Sequence, residues 1–229
     1  MKPLQSLVLF DIDGTLITTA RAGVRGMNTA FEELYNAAGA LDGVPIAGRT
    51  DVAIVQDVFA RLGIPSSREA IEGLRDRYLR YLALELAHPS DQPRVVLPGV
   101  IELLDVLART PGVTVGLLTG NFVGGAEIKL GHFGLWTRFP FGAFGDGHAN
   151  RRDLVPVAVR AARDHGADPP TDRIIVIGDT PLDVDCAHAH GAKAVAVATG
   201  QFSKEELVAC RADLVVETLH ELRADLSWI

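Results

Sequence analysis

From residue 99 to the C-terminus, short apolar runs alternate with segments of helical periodicity. The apolar runs predict strands at 113–118, 141–144, 173–177, 193–198 and 213–216. The segments between them predict helices near 99–109, 122–132, 151–165, 181–190 and from Ser203 onward. A further run, SLVLF at 6–10, predicts one more strand. Such uniformly apolar strands are typical of a parallel sheet covered by helices on both faces, so we expect an α/β fold.

The segment from about residue 17 to residue 93 interrupts this alternation. Its apolar residues recur at helical spacing in three groups: Val24, Met27, Phe31 and Leu34; Val52, Val55, Phe59 and Leu62; Ile71, Leu74, Tyr78 and Leu82. Thr50 and Gly63 would begin and end the second helix, and Ser66 with Glu69 would form a capping box for the third. We expect an entirely helical insert at 17–93 in a core domain made of 1–16 and 94–229, with the proline-containing segment before residue 98 as the return linker.

Polar residues follow three of the predicted strands at their carboxyl ends, where open α/β sheets bind ligands. They are Asp11, Asp13, Gly14 and Thr15; Thr119, Gly120 and Asn121; and Gly178, Asp179, Thr180 and Asp183. Aspartates gathered at one edge of a sheet are costly unless a cation neutralises them. Carboxylates together with a carbonyl, waters and a phosphate are the ligands that Mg²⁺ prefers, so we expect a Mg²⁺ site there.

The pair Asp11 and Asp13 suits phosphoryl transfer. A carboxylate can attack phosphorus and form an aspartyl phosphate, which divides one hydrolysis into two displacements. Asp11 is the candidate nucleophile. Asp13 would protonate the leaving oxygen and then take a proton from the attacking water.

Residues 11–15, Asp-Ile-Asp-Gly-Thr, resemble the first motif of the haloacid dehalogenase-like superfamily. Thr119 matches the second motif, and residues 178–183 look like the fourth motif in its phosphoglycolate phosphatase-like form. The resemblance extends over essentially the whole chain. It implies a Rossmann-like core with a C1-type helical cap, here the insert at 17–93, which closes over the active site.

The resemblance also implies residue roles. Asp11 would be phosphorylated, Asp13 would be the acid and base, and Thr119 would bind the phosphoryl group. Gly120 and Asn121 would contact the substrate beside Thr119. Asp179 and Asp183 would complete the Mg²⁺ site with Asp11 and Asp13.

The third motif of the superfamily supplies a lysine, and the corresponding segment at 148–153 contains none. The chain has four lysines: Lys2, Lys129, Lys193 and Lys204. Only Lys129, on the helix after Thr119, is placed to reach the site, and Arg151 is the alternative because a guanidinium also binds phosphate. In the insert, Arg49 is either a clamp for a substrate anion or a surface arginine that precedes a helix.

The function that these residues favour is a Mg²⁺-dependent phosphatase of a small phosphorylated metabolite, either phosphoglycolate-like or a sugar phosphate. A sugar phosphomutase of the same superfamily is the alternative, and a phosphoacceptor signalling module is the alternative of another class. A signalling module has no use for so large a helical insert or for Asp13. Asp13 also argues against dehalogenation, because haloacid dehalogenases lack the second aspartate.

The composition limits which binding partners and which cellular location we expect for this protein. The chain carries 22 basic and 29 acidic residues, and its longest basic cluster is Arg151-Arg152, so we expect no nucleic-acid partner. No apolar run approaches the length of about 18 residues that spans a bilayer, and the N-terminal apolar run is shorter than that of a signal peptide. With only Cys186 and Cys210 there is no disulfide framework. We expect a cytoplasmic protein with no membrane partner.

Overall fold

The computed structural model describes residues 5–223 and 225–229. Its strands are β1 (Ser6–Phe10), β2 (Ile17–Thr18), β3 (Val95–Val96), β4 (Val113–Leu118), β5 (Gly142–Ala143), β6 (Ile174–Gly178), β7 (Lys193–Val197) and β8 (Leu214–Val216). Its α-helices are α1 (Ala22–Tyr35), α2 (Asp51–Leu62), α3 (Arg68–Ala87), α4 (Val100–Arg109), α5 (Val123–His132), α6 (Leu154–Asp164), α7 (Pro181–His188) and α8 (Lys204–Ala209). None of the helices in the described ranges is both long enough and apolar enough to cross a membrane.

Six strands form one parallel sheet in the order β5-β4-β1-β6-β7-β8. Each face of the sheet is covered by its own cluster of buried apolar side chains. This architecture confirms the predicted α/β fold. It follows from strands such as β1, which is buried along its whole length and therefore requires helices on both sides.

The register of the central strands places their carboxyl ends side by side. Phe10, the last residue of β1, pairs with Leu117 of β4 and with Ile177 of β6. The chain segments that leave these three strands therefore begin at the same level of the sheet. The polar residues that the sequence places after each strand meet at this edge.

Residues between β2 and β3 form a separate apolar cluster in which Phe31, Phe59 and Tyr78 are buried. β2 and β3 pair with each other in antiparallel fashion, Ile17 with Val96, so the chain enters and leaves the insert at one place. This pairing supports the proposed division of the chain into a core domain (1–16 and 94–229) and a helical cap domain (17–93).

Two predictions about the insert were wrong in detail. Residues 36–50 are not helical but form turns and irregular segments. Gly39, Gly43 and Gly48 adopt positive φ angles, which end helices and make turns. The cap of α3 is Ser67, whose hydroxyl accepts a hydrogen bond from the Ala70 amide, and not Ser66. Leu34 and Leu62, the last residues of the first two apolar groups, are exposed. Thr50 and Gly63 cap α2 as predicted.

Candidate active site

Three buried carboxylates meet at the edge of the sheet. Asp11 follows β1, Asp179 follows β6, and Asp183 lies in the first turn of α7. One oxygen from each lies within 4.8 Å of the others. Burial, opposed by Arg151 and reinforced by the neighbouring carboxylates, raises the pKa of Asp11 to about 6. Burial together with Asp11 and Asp183 raises the pKa of Asp179 to about 9. An all-oxygen donor set under this much mutual repulsion fits a hard divalent cation such as Mg²⁺.

Local contacts hold two of these carboxylates in place. The Thr15 hydroxyl donates to Asp179 (3.3 Å), and the Thr180 amide and hydroxyl both donate to Asp183, at 3.1 Å and 2.7 Å. Gly14 has a φ of 81°, and a β-carbon there would collide with the Asp179 carboxylate. The glycine of the first motif is therefore required both by the turn and by the approach of Asp179.

Arg151 is the cation in contact with this cluster. Its Nη2 lies 2.9 Å from Oδ1 of Asp11 and 2.5 Å from Oδ1 of Asp183, and its Nη1 donates to the Gly48 carbonyl (3.0 Å). The side chain is buried, and its Nε has no hydrogen-bond partner within the described residues. Arg151 thus offsets part of the negative charge and also joins the core to the insert.

Asp13 faces a second group of side chains. Its Oδ2 accepts hydrogen bonds from Lys129 Nζ (2.6 Å) and from Asn121 Nδ2 (2.9 Å). Lys129 Nζ also contacts Asn121 Oδ1 (2.6 Å), and Asn121 Nδ2 donates to the Thr119 hydroxyl (2.8 Å). The Asp13 side chain is 42% exposed and belongs to the cavity wall rather than to the carboxylate cluster. The structure therefore brings Asp11, Asp179 and Asp183 together but directs the Asp13 carboxylate elsewhere.

The sequence left open whether Lys129 or Arg151 supplies the positive charge at the site. Both side chains reach the site, and each contacts a different aspartate. Lys129 is buried on α5 and holds Asp13, whereas Arg151 contacts Asp11. Arg151 lies in the three-residue 3-10 turn before α6, in the segment where the third motif was expected. The candidate nucleophile therefore has an arginine as its cationic neighbour.

Asp51 is a site residue that sequence reasoning missed. It is the first residue of α2, and its amide donates to the Gly120 carbonyl (2.7 Å) while its Oδ2 accepts from the Phe122 amide (2.8 Å). Burial raises its pKa to about 6, against the effect of Lys129. A β-carbon on Gly120 would collide with the Arg49 carbonyl, so this glycine permits the close approach of the insert. The sequence signal, an aspartate after the Thr50 cap, is equally typical of any helix start.

Arg49 is engaged within the insert. Its Nη1 donates to Oδ2 of Asp57 (2.6 Å) and to the Pro45 carbonyl (3.2 Å). It contributes to the wall of the cavity. The predicted role as an anion clamp would require it to leave the Asp57 carboxylate or to share its charge with it.

A cavity of about 380 Å³ lies between the edge of the sheet and the insert. The core contributes Asp11, Asp13, Thr119, Lys129 and Arg151 to its wall, and the insert contributes Asp51 and the buried Tyr78. Burial raises the pKa of Tyr78 well above its usual value, so its hydroxyl stays protonated. Carboxylates, hydroxyls and cations thus face one cavity, an arrangement that can bind and transfer an anionic phosphoryl group.

A family model described as haloacid dehalogenase-like hydrolase matches residues 8–188. A phosphoglycolate phosphatase from Agrobacterium fabrum is 26% identical over 217 residues, which cover 94% of this chain and 90% of that protein. The tyrosine-protein kinase PtkA from Mycobacterium tuberculosis is 31% identical over 231 residues, which cover 96% of this chain and 72% of that protein. The crystal structure of a predicted phosphatase from Clostridium acetobutylicum superposes with a TM-score of 0.72 at 21% identity, covering 99% of this chain and 100% of that one.

Proposed function

We propose that this chain, which belongs to the haloacid dehalogenase-like hydrolase family and hydrolyses phosphate esters, is a Mg²⁺-dependent phosphatase of a small phosphorylated metabolite. The reaction would proceed through a phosphorylated Asp11. Relatives named as phosphatases support the class of reaction. The metal, the intermediate and the kind of substrate are our proposals.

The position of Asp11 carries the proposal. Its carboxylate is buried at the end of the central strand, faces the cavity, and contacts a guanidinium that can also bind phosphoryl oxygens. In the first step an Asp11 oxygen forms a bond to phosphorus as the bond between phosphorus and the substrate oxygen breaks. Arg151 and the Thr119 hydroxyl, which line the same cavity, would stabilise the charge on the phosphoryl oxygens during this step.

Asp13 supplies the proton transfers. Its carboxyl group gives its proton to the departing substrate oxygen. The resulting carboxylate then takes a proton from a water molecule whose oxygen attacks phosphorus, the bond to Asp11 breaks, and inorganic phosphate leaves. Lys129 and Asn121 hold the Asp13 carboxylate at the cavity wall, where both proton transfers take place.

Asp11, Asp179 and Asp183 would hold Mg²⁺, with the predicted contribution of Asp13 coming from its main-chain carbonyl. When bound, Mg²⁺ would neutralise phosphoryl oxygens that otherwise face a wall of carboxylates. The raised pKa values of Asp11 and Asp179 are consistent with this assignment: burial raises them most, neighbouring carboxylates raise them further, and Arg151 offsets the increase only in part. A bound cation would lower both.

The test is Mg²⁺-dependent release of phosphate from p-nitrophenyl phosphate. Asp11→Asn should abolish it, with deamidation excluded by mass spectrometry, and Asp13→Asn should slow it by about 10² or more. Asp185→Asn is the matched control, since Asp185 lies two residues after Asp183 but is exposed and pairs with Arg152. Hydroxylamine should trap an aspartyl phosphate in the native enzyme. Full activity of Asp11→Asn would disprove the mechanism, and isomerisation of a sugar phosphate without phosphate release would indicate a phosphomutase.

A further inference from the structure

We propose that Arg21 determines substrate choice by binding a second anionic group of the substrate, a carboxylate or a further phosphate, in addition to the phosphoryl group that is hydrolysed; this inference rests on the proposed function. Arg21 lies between β2 and α1, where the chain enters the insert, and it contributes to the wall of the cavity. It is exposed, so its guanidinium is open to an incoming ligand.

Arg21 differs from the other cations of the cavity because it makes no ion pair within the described part of the chain. The other three are already occupied: Arg49 pairs with Asp57, Lys129 with Asp13, and Arg151 with Asp11 and Asp183. A second substrate anion that approached one of these would compete with a carboxylate already in contact with it. Arg21 can bind the anion without that competition.

The remaining polar residues of the wall do not make this selection. Thr18, Thr19 and Gln201 also line the cavity, and their side chains can donate hydrogen bonds to a hydroxyl, a carboxylate or a phosphate alike. Aspartates on the same wall, Asp11, Asp13, Asp51 and Asp179, repel a free anion. The binding of a second anion therefore depends on a cation whose charge is not already offset, and Arg21 provides it.

The backbone at Arg21 has an unfavourable conformation that contacts within the insert maintain. Ala20 and Arg21 have φ angles of 51° and 61°, in the left-handed region that residues with a β-carbon seldom adopt. The Ala20 carbonyl accepts a hydrogen bond from Arg25 Nη1 (2.5 Å), and Arg25 Nε lies 2.6 Å from Oε2 of Glu85 on α3. Helices α1 and α3 thus hold the turn that brings Arg21 to the cavity. Strained backbone of this kind is concentrated at binding and catalytic sites.

The first test uses three esters of one three-carbon chain that differ in the group at its far end: 3-hydroxypropyl phosphate, 3-phosphooxypropanoate and 1,3-propanediol bisphosphate. All are primary alkyl phosphates, so the kcat/KM of each anionic ester relative to the hydroxyl ester reports recognition of the second anion, once the bisphosphate value is halved for its two equivalent phosphates. With the native enzyme and Mg²⁺ we expect at least one of these ratios to be about 10-fold or more. The ratio that is raised identifies the anion as a carboxylate or a phosphate.

Two results of this comparison would overturn the inference. One is a ratio near one for both anionic esters, and the other is hydrolysis of p-nitrophenyl phosphate without hydrolysis of either anionic ester. Absence of activity on all four esters would instead refute the proposed function.

The second test removes the charge of Arg21. Arg21→Gln should lower the raised ratio by about 10-fold, whereas Arg21→Lys keeps the charge and should retain most of the preference. Arg211→Gln is the matched control and should leave the ratio unchanged, because Arg211 is also an exposed arginine with a positive φ (63°) but does not line the cavity. Added KCl should lower the native ratio, since salt screens an exposed charge. Retention of the full ratio in Arg21→Gln, or its loss in Arg49→Gln alone, would contradict the role of Arg21.

Discussion

Arg151 and Arg152 are adjacent in the chain and pair with carboxylates two residues apart on α7, yet only the first pair is buried. Arg151 and its partners Asp11 and Asp183 are exposed by 6%, 7% and 3%, whereas Arg152 and Asp185 are exposed by 54% and 41%. The two arginines therefore offer a matched comparison of a buried and an exposed ion pair. We predict that Arg151→Met destabilises the metal-free protein strongly and that Arg152→Met has little effect.

The expected loss of stability in Arg151→Met follows from the buried carboxylates that remain. Methionine fills much of the space of Arg151 but leaves Asp11 and Asp183 buried beside Asp179 without a cation. Removing one member of a buried ion pair costs about 3–5 kcal/mol, because the remaining charge has lost both water and its partner. Such a loss is a large fraction of the total stability of about 5–15 kcal/mol of an ordinary domain. The exposed pair of Arg152 is hydrated and screened, so its loss should be small.

The loss of stability caused by Arg151→Met should depend on pH. The pKa of Asp11 is already raised to about 6 with Arg151 present, and removal of the guanidinium would raise it further. Lowering the pH from 8 to 5 protonates Asp11 and removes part of the repulsion, so the cost of Arg151→Met should shrink at low pH. Urea unfolding in EDTA, followed by circular dichroism at pH 8 and pH 5, measures this. Equal costs for the two arginine variants, or a larger cost of Arg151→Met at pH 5, would refute the argument.

Three further predictions concern neighbouring residues. The pKa of Asp179 is raised to about 9, so this side chain keeps a proton in the folded protein that it has released in the unfolded chain above about pH 4. Thermal melts in EDTA should therefore show stability falling from pH 5 to pH 9. Asp179→Asn should make stability depend less on pH. Asp51→Ala should lower kcat/KM by about 10-fold, because it loosens the contact between the insert and the chain after β4. Asp76 is exposed, so Asp76→Ala should leave kcat/KM unchanged in the same steady-state assay. Lys129→Met should slow alkyl phosphates more than p-nitrophenyl phosphate, because Lys129 positions the Asp13 acid that alkyl leaving groups need; equal slowing would contradict this role.

The sheet could be predicted because its signal is local. The run at 113–118 forms β4 with the predicted bounds, since its apolar residues are flanked by Gly112 and Thr119. The edge of the sheet was predictable for the same reason, as each polar group directly follows a strand. Residues 36–50 were not predictable, because their path depends on glycine φ angles and on docking against the core.

The contacts between distant segments could not be predicted from the sequence. Arg151 and Lys129 are both cations near the site, and only the packing of α5, α6 and α7 determines which carboxylate each one meets. Asp51 is 71 residues from Phe122 and carries no pattern that identifies its partner. The types of residue in the site were therefore predictable, whereas their pairing required the fold.

The antiparallel pair of β2 and β3 has a consequence for how such a chain can change over time. Thr18 and Val95 are neighbours, so the whole insert begins and ends at one point beside the sheet. Chain added or removed between them leaves the ends of the core segments where they are, and the entropy of closing a loop grows only slowly with its length. The insert can therefore be lengthened, shortened or exchanged while Asp11 and Asp179 keep their places. On the proposed function, the residues that act on phosphorus and the insert's part of the cavity wall therefore belong to parts of the chain that can evolve separately.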